Sequence, residues 1–318
     1  MGSSVNSNGK DRVLLLVEGD SAEPSLFRSL SEKFDLPFDI VSYGTNLYKL
    51  YERIVADAGF LNLKEVLIEK INEDCKKYED RLNDPSSTAS ETVRNDWQKR
   101  LKKLEDERLT LQGDFAYTYL VYDCEIHHRD NGGAETVDEA RDRNLPILEK
   151  MLEHFVDETD ETVGRLYVNY PMVESWRDAD AFFDEQYQDS VVSLDAITRD
   201  QYKSRVSQKR LSGKHAQLLE LNVDKTRLLD YRYKFESIIR MMVFKLNRLA
   251  NGEWAGLDYR RYRECSEGTS ILKKEAELMR TQRRISVLNT SLYAVLDYRG
   301  NKNGDYDRIV KGRTDETI

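Results

Sequence analysis

Apolar and polar positions fall into blocks whose period changes several times along the chain. Arg12 to Val17 is a continuous apolar run of strand length that ends in Glu18-Gly19. Such a run fits a strand buried on both faces, as at the centre of a parallel sheet. After the turn, Pro24 occupies a first helical position, and Leu26, Phe27 and Leu30 follow at helical spacing, which predicts a helix. Residues 37–42 predict a second short strand, Gly44-Thr45 a break, and residues 46–58 an amphipathic helix carrying Leu47, Leu50, Tyr51, Ile54 and Val55. This order predicts the opening of a doubly wound α/β fold with a mostly parallel sheet.

The alternation then breaks. Residues 61–111 form two highly charged helical segments around a Ser/Asp/Pro-containing loop, predicting an inserted helical hairpin. Val66, Leu67, Ile71, Cys75, Tyr78 and Leu82 line one arm and Trp97, Leu101, Leu104 and Leu109 the other, a seam narrow enough for an antiparallel coiled coil. A solvated structural arm and a dimerisation or partner-docking arm both fit. The sheet resumes at Phe115 to Tyr122, which delivers Asp123-Cys124-Glu125. A polar loop, a helix over 138–155 and a strand over 164–169 follow, the last running into a segment that carries Glu174.

Beyond residue 190 the pattern is helical, over 200–220, 224–250 and 269–285. The middle helix has a core face of Phe235, Ile238, Ile239, Met242, Val243 and Leu246, with Arg232, Lys234, Arg240, Lys245 and Arg248 around the rest. The predicted layout is a disordered lead-in over 1–11, an α/β domain over 12–190 with its insertion at 61–111, a basic helical region over 191–300 and a loose tail over 301–318.

Composition narrows the classes. No stretch approaches the roughly 18 to 20 apolar residues of a membrane span. Three cysteines without a CxxC pair support neither a disulfide framework nor a zinc cage, and point to a reducing cytoplasm. The net charge of -9 conceals opposite halves. Residues 191–318 hold 26 Lys and Arg against 17 Asp and Glu, whereas the rest hold 23 against 41. Such asymmetry fits nucleic-acid contact and fits an interface between complementary surfaces equally well.

In open parallel sheets the ligand crevice lies beyond the carboxyl ends of the strands, so Glu18, the Asp123/Glu125 pair and Glu174 are expected to converge. Several carboxylates with few nucleophiles beside them favour a hard divalent cation, Mg2+ or Mn2+. Two such ions suit phosphodiester hydrolysis. Each acid taken singly is equally a solvated loop carboxylate. His127 and His128 follow the acidic pair and are either solvent-facing or near a phosphate. Cys124 is expected to point away from its acidic neighbours and be buried. Of the basic residues nearest in sequence, Arg177 and Lys203 included, the cluster of Arg205, Lys209, Arg210 and Lys214 is the best candidate for phosphate-backbone contact, with a solvated helix face as the alternative. Tyr231, Tyr233, Tyr259 and Tyr262 lie among arginines and either stack bases or belong to the core.

Residues 17–27, VEGDSAEPSLF, resemble the first motif of the TOPRIM domain, and the spacing of Glu18, Glu23 and Pro24 is similar to that of RloB-like and OLD-family nucleases. The second TOPRIM motif, a strand ending in Asp-x-Asp, resembles residues 119–127, with Asp-x-Glu here instead. Residues 169–176, NYPMVESW, partly resemble an Asn-Pro-x-Phe-Glu-x-Trp element of RloB-like proteins, with Tyr170 inserted and Val173 in the aromatic position. The resemblance covers 12–60 and 114–185. It implies a TOPRIM fold and a metal-dependent endonuclease acting on tRNA, other RNA or DNA. Glu18, Asp123 and Glu125 would be catalytic and metal-binding, with Glu23 and Glu174 completing a second metal site. It further implies service in bacterial anti-phage defence beside an ABC-type or SMC-like ATPase. A homodimer through the hairpin is a further expectation. A TOPRIM-like module without catalysis, docking on an ATPase, and a primase-like nucleotidyl transferase are the alternatives.

Overall fold

The computed structural model describes residues 12–312 except 57–58, 85–86, 130–134, 199–200, 210 and 301–303. The lead-in over 1–11, Arg210 and the last six residues therefore lie outside the described residues. The chain begins with β1 (Val13–Val17), α1 (Ala22–Phe34), β2 (Phe38–Ser42) and α2 (Leu47–Ile54). A two-residue strand pair, β3 (Val55–Ala56) and β4 (Gly59–Phe60), leads into the arm made by α3 (Leu63–Asn83) and α4 (Glu91–Leu111). Next come β5 (Tyr117–Asp123), α5 (Val137–His154), β6 (Val156–Asp157) and β7 (Gly164–Asn169).

These strands form a five-stranded sheet in the order β2-β1-β5-β7-β6. Its first four strands run parallel and the short β6 pairs antiparallel with β7. The protein is thus a mixed α/β fold built on a mostly parallel sheet. Every residue of β1 is buried, because β1 lies between β2 and β5 with helices on both faces, and this is why its sequence is an unbroken apolar run. Pro24 sits at the third residue of α1, not the first. The first-turn N–H groups have no helical acceptor, so its missing donor costs nothing there.

The arm is present as expected, but its seam is shifted at one position. Val66, Leu67, Ile71 and Cys75 are buried on α3, whereas on α4 Leu111 is buried and Leu109 is 62% exposed. The inward positions after Trp97 advance by four and three, through Leu101, Leu104 and Arg108 to Leu111, so Leu109 falls outside the stripe.

After two 3-10 turns, Val173–Arg177 and Glu185–Asp189, the chain makes β8 (Val191–Ser193), α6 (Leu194–Thr198), α7 (Gln201–Gln208), α8 (Ser212–Gln217) and the long α9 (Lys225–Asn251). It closes with α10 (Tyr259–Cys265), α11 (Gly268–Gln282), β9 (Arg284–Ser286), α12 (Tyr293–Arg299) and α13 (Asp305–Lys311). Asp224 caps α9 by accepting the N–H groups of Thr226 and Arg227, and Gly252 ends it at a positive φ of 81°, a conformation glycine adopts without steric cost.

Residues on both sides of position 190 share one buried core. Phe235 of α9 meets Phe34 of α1 edge-on at 6.5 Å, and β8 pairs antiparallel with β9. The tail expected to be loose contains α13, which buries Tyr306, Ile309 and Val310. Tyr306 donates to the Leu257 carbonyl at 3.0 Å, so apolar packing and one buried hydrogen bond hold a segment whose composition is otherwise polar. The basic residues of α9 are largely spoken for. Arg232 pairs with Glu236, Lys234 with Asp230 and Arg248 with Asp189, and Lys245 is only 3% exposed. Among the described residues no helix is long and apolar enough to cross a membrane.

Candidate functional site

The carboxyl ends of β1 and β5 stand side by side in the sheet, and each presents an acid. Glu18 follows β1 directly, and its Oε2 accepts the backbone N–H of Asp123, the last residue of β5, at 3.1 Å. Gly19 comes next because a side chain there would collide with Glu23: a Cβ would lie 2.7 Å from Glu23 Oε2. Glu23 opens α1 and is buried, its carboxylate accepting the backbone N–H groups of Glu23 itself and Gly19. A helix N-terminus favours an anion at this place. Glu174 lies in the 3-10 turn after β7, largely buried, and pairs with Lys203 of α7 at 3.0 Å.

These acids sense one another. Burial first, then the charges of Glu125 and Glu23, push the Glu18 carboxyl up to about 8, against the bond from the Asp123 N–H and the attraction of Lys203. Asp123 keeps some solvent contact, but its carboxyl is recessed. Burial, followed by Glu18, Glu23 and Glu174, holds its proton affinity well above the usual carboxylate range. Burial raises Glu23 as well, with Glu174 adding to the effect. The hydrogen bond to Glu174 raises Lys203, and Asp123 and Glu23 attract it further. All five predicted acids therefore belong to one electrostatic cluster with a deficit of positive charge.

The donor set is carboxylate oxygen only, half-buried except for the buried Glu23 and mutually repelling, which is the chemistry a hard divalent cation relieves. Among the described residues no group of three or more His, Cys, Asp or Glu side chains stands arranged to hold a metal ion.

Asp123 is aimed by a clamp that sequence reasoning missed. Asn169, fully buried at the end of β7, donates to Asp123 Oδ1 at 3.3 Å and accepts the Ser291 N–H at 3.1 Å. Thr290 Oγ1 donates to the Val168 carbonyl and Asn289 Nδ2 to the Val173 carbonyl, both at 2.7 Å. Asn289 Oδ1 in turn accepts Ser291 Oγ and the Leu292 N–H. The available signal was Asn289-Thr290-Ser291 itself, a polar island inside the apolar stretch from Ile285 to Leu296. The insertion also reaches this rim. Lys103 of α4 pairs with Asp20, and Glu107 accepts the Ser42 N–H at the end of β2 at 3.2 Å.

The loop after Glu125 is tied down by Asn144, whose Nδ2 donates to the carbonyls of Ile126 and His128. His128 stacks parallel to the Tyr48 ring and contacts Asn46 Nδ2 at 3.1 Å, so it packs on α2 instead of facing solvent. Cys124 is buried.

The predicted basic cluster divides. Arg205 and Lys209 both pair at 2.8 Å with Asp178, which is 2% exposed. That buried carboxylate needs compensating charge, and both cations serve to supply it. Arg210 lies outside the described residues, and Lys214 is exposed. His215, beside them in sequence, is buried edge-on against Trp176, and burial lowers it to about 4. Arg177 lies over the Trp176 ring. Tyr231 and Tyr262 are buried, while Tyr233 and Tyr259 are half-buried. Tyr262 donates to the wholly buried Asp297 at 2.9 Å, a role in the core. Comparison with protein-family models, curated proteins and solved structures found no match.

Proposed function

We propose that this chain is a Mg2+- or Mn2+-dependent endonuclease with a TOPRIM-type fold, cutting phosphodiester bonds in RNA, including tRNA, or in DNA. The observation that carries this reading is the meeting of Glu18 and Asp123 at the carboxyl ends of the adjacent parallel strands β1 and β5, with Glu23, Glu125 and Glu174 near enough to act on their charge. Glu18, Asp123 and Glu125 would hold the cation, with Glu23 and Glu174 beside them. When bound, the cation supplies Lewis-acid stabilisation of a phosphate oxygen and a more acidic water. The chain's own residues orient and shield: Asn169 aims Asp123, and Gly19 leaves room for Glu23. Work in anti-phage defence beside an ABC-type or SMC-like ATPase rests on the resemblance of the motifs alone and a cytoplasmic setting on the cysteine usage, and dimerisation through the arm is part of the same proposal.

A second reading is a catalytically silent module that docks on such an ATPase. It is favoured by Lys203, whose ammonium already compensates Glu174. Cleavage of plasmid, single-stranded DNA and total tRNA with Mn2+ tests the first reading, with Glu18→Ala and Asp123→Ala as controls. Loss of cleavage in both variants with unchanged folding is the expected result. Full activity in both sinks the nuclease reading. Calorimetry that finds no carboxylate-dependent Mn2+ binding selects the second.

A further inference from the structure

A second charged site lies away from the acid cluster, in the cleft between α9, α11 and the β8–β9 pair. It encloses about 430 Å3 and is bordered by Asp189, Lys245, Arg248, Lys274, Glu277 and Arg284. Four cations face two carboxylates. Asp189 is engaged by Arg248 at 3.1 Å, and neither Lys274 nor Arg284, both exposed, has an ion-pair partner among the described residues.

Lys245 is the unusual member. It is 3% exposed, and its ammonium donates to the carbonyls of Gln188 and Ser190, each at 2.8 Å. An ammonium has three N–H donors, so one remains after these bonds. No carboxylate lies within ion-pair distance of it among the described residues. A buried cation held by two neutral carbonyls, with the Tyr187 ring beneath it and carboxylates only at a distance, is partly compensated, and burial pushes Lys245 down to about 8 against the attraction of Glu275 and Asp189. Val191, Leu249 and Leu278 add an apolar wall to the same cleft.

We propose that this cleft binds a compact phosphate-class anion, a nucleoside phosphate or pyrophosphate. Phosphate oxygens can reach several cations at once, as charge-assisted hydrogen bonding favours, and the volume falls in the range of small-molecule pockets, roughly 300 to 1,000 Å3. A nucleoside would set its base against the apolar wall, whereas pyrophosphate would use the cations alone. This site does not depend on the acid cluster being catalytic.

The test is calorimetric titration of the full chain with pyrophosphate and, separately, with ADP, in EDTA so that the acid cluster carries no divalent cation. Wild type and Asp123→Asn are expected to bind alike. The double variant Lys274→Glu/Arg284→Glu is expected to bind at least about a hundredfold more weakly, since two charge-assisted bonds to the anion are lost and two repelling charges are added. Both positions are exposed, and Arg284→Gln alone serves if the double variant unfolds at a lower temperature. Tighter binding of ADP than of pyrophosphate assigns the apolar wall to a base; equal binding assigns the phosphates alone. No heat from either probe at millimolar concentration, or equal affinity in the charge variants, overturns the proposal. So does a single-stranded oligonucleotide that binds where neither small probe does, because an extended nucleic-acid surface would then account for the cations.

Discussion

Replacing Glu18 with glutamine should make the metal-free protein more stable at alkaline pH. In the folded chain the Glu18 carboxyl is raised from 4.5 to about 8 by burial and by its acidic neighbours. Between those values the native state holds a proton that the unfolded chain has released. Stability therefore falls as pH rises through this window, and the whole penalty is present above about 8. At about 1.4 kcal/mol per tenfold change in proton affinity the ceiling is about 5 kcal/mol. Glu18 in turn raises Asp123, so part of that sum belongs to the pair. Against a domain stability of roughly 5 to 15 kcal/mol it is a large effect. Glutamine can still accept the Asp123 N–H while carrying no charge. Urea unfolding in EDTA at about pH 5.5, 7 and 8.5 measures the difference, read as a shift in midpoint at constant slope. Wild type should lose stability across the series and Glu18→Gln much less, with Mn2+ flattening the wild-type curve. Coincident curves for the two proteins in EDTA would refute the idea that the strand-end acids repel one another.

Three further outcomes follow from the same geometry. Lys203→Met removes the ammonium beside Glu174 and should tighten Mn2+ binding by about tenfold, because one repelling charge is gone; calorimetry showing unchanged affinity would remove Lys203 from the cluster's field. Asn169→Ala leaves the buried Ser291 N–H without its acceptor and should cost about 1 to 3 kcal/mol in urea unfolding, whereas a negligible change would mean water replaces the lost bonds. Leu111→Ala should destabilise by about 2 to 5 kcal/mol, while Leu109→Ser should stay within about 0.5 kcal/mol; the reverse ranking in thermal unfolding would contradict the seam described for the arm.

What the sequence made legible was whatever depends on local pattern. The unbroken run Val13–Val17, the period of Leu47, Leu50 and Ile54, and the charged arms of α3 and α4 each announce their element without reference to the rest of the chain. The strand-end acids were legible too, since strand direction places Glu18 and Asp123 at the same edge. What escaped depends on partners distant in sequence. Arg205 and Lys209 look like a free basic face until Asp178 is placed beneath them. Leu111 is separated from Leu109 by the four-and-three spacing from Trp97, but that stripe passes through Arg108 and so does not read as apolar. The three-residue strands β8 and β9 carry too few positions for a period, and pair across about ninety residues. Asn289 and Ser291 announce no element in the sequence, yet Ser291 fastens the end of β7 and Asn289 the turn that follows it.

That fastening has a consequence for how the chain comes into being. Synthesis proceeds from the amino terminus, so β1, β5 and β7 leave the ribosome well before residues 289–292. Until those residues arrive, Asn169 has no Ser291 N–H to accept, and the donor that aims Asp123 is free to turn. The acid cluster is therefore finished late, by a segment far downstream of the strands that bear it, and its geometry is set only once residues 289–292 have docked.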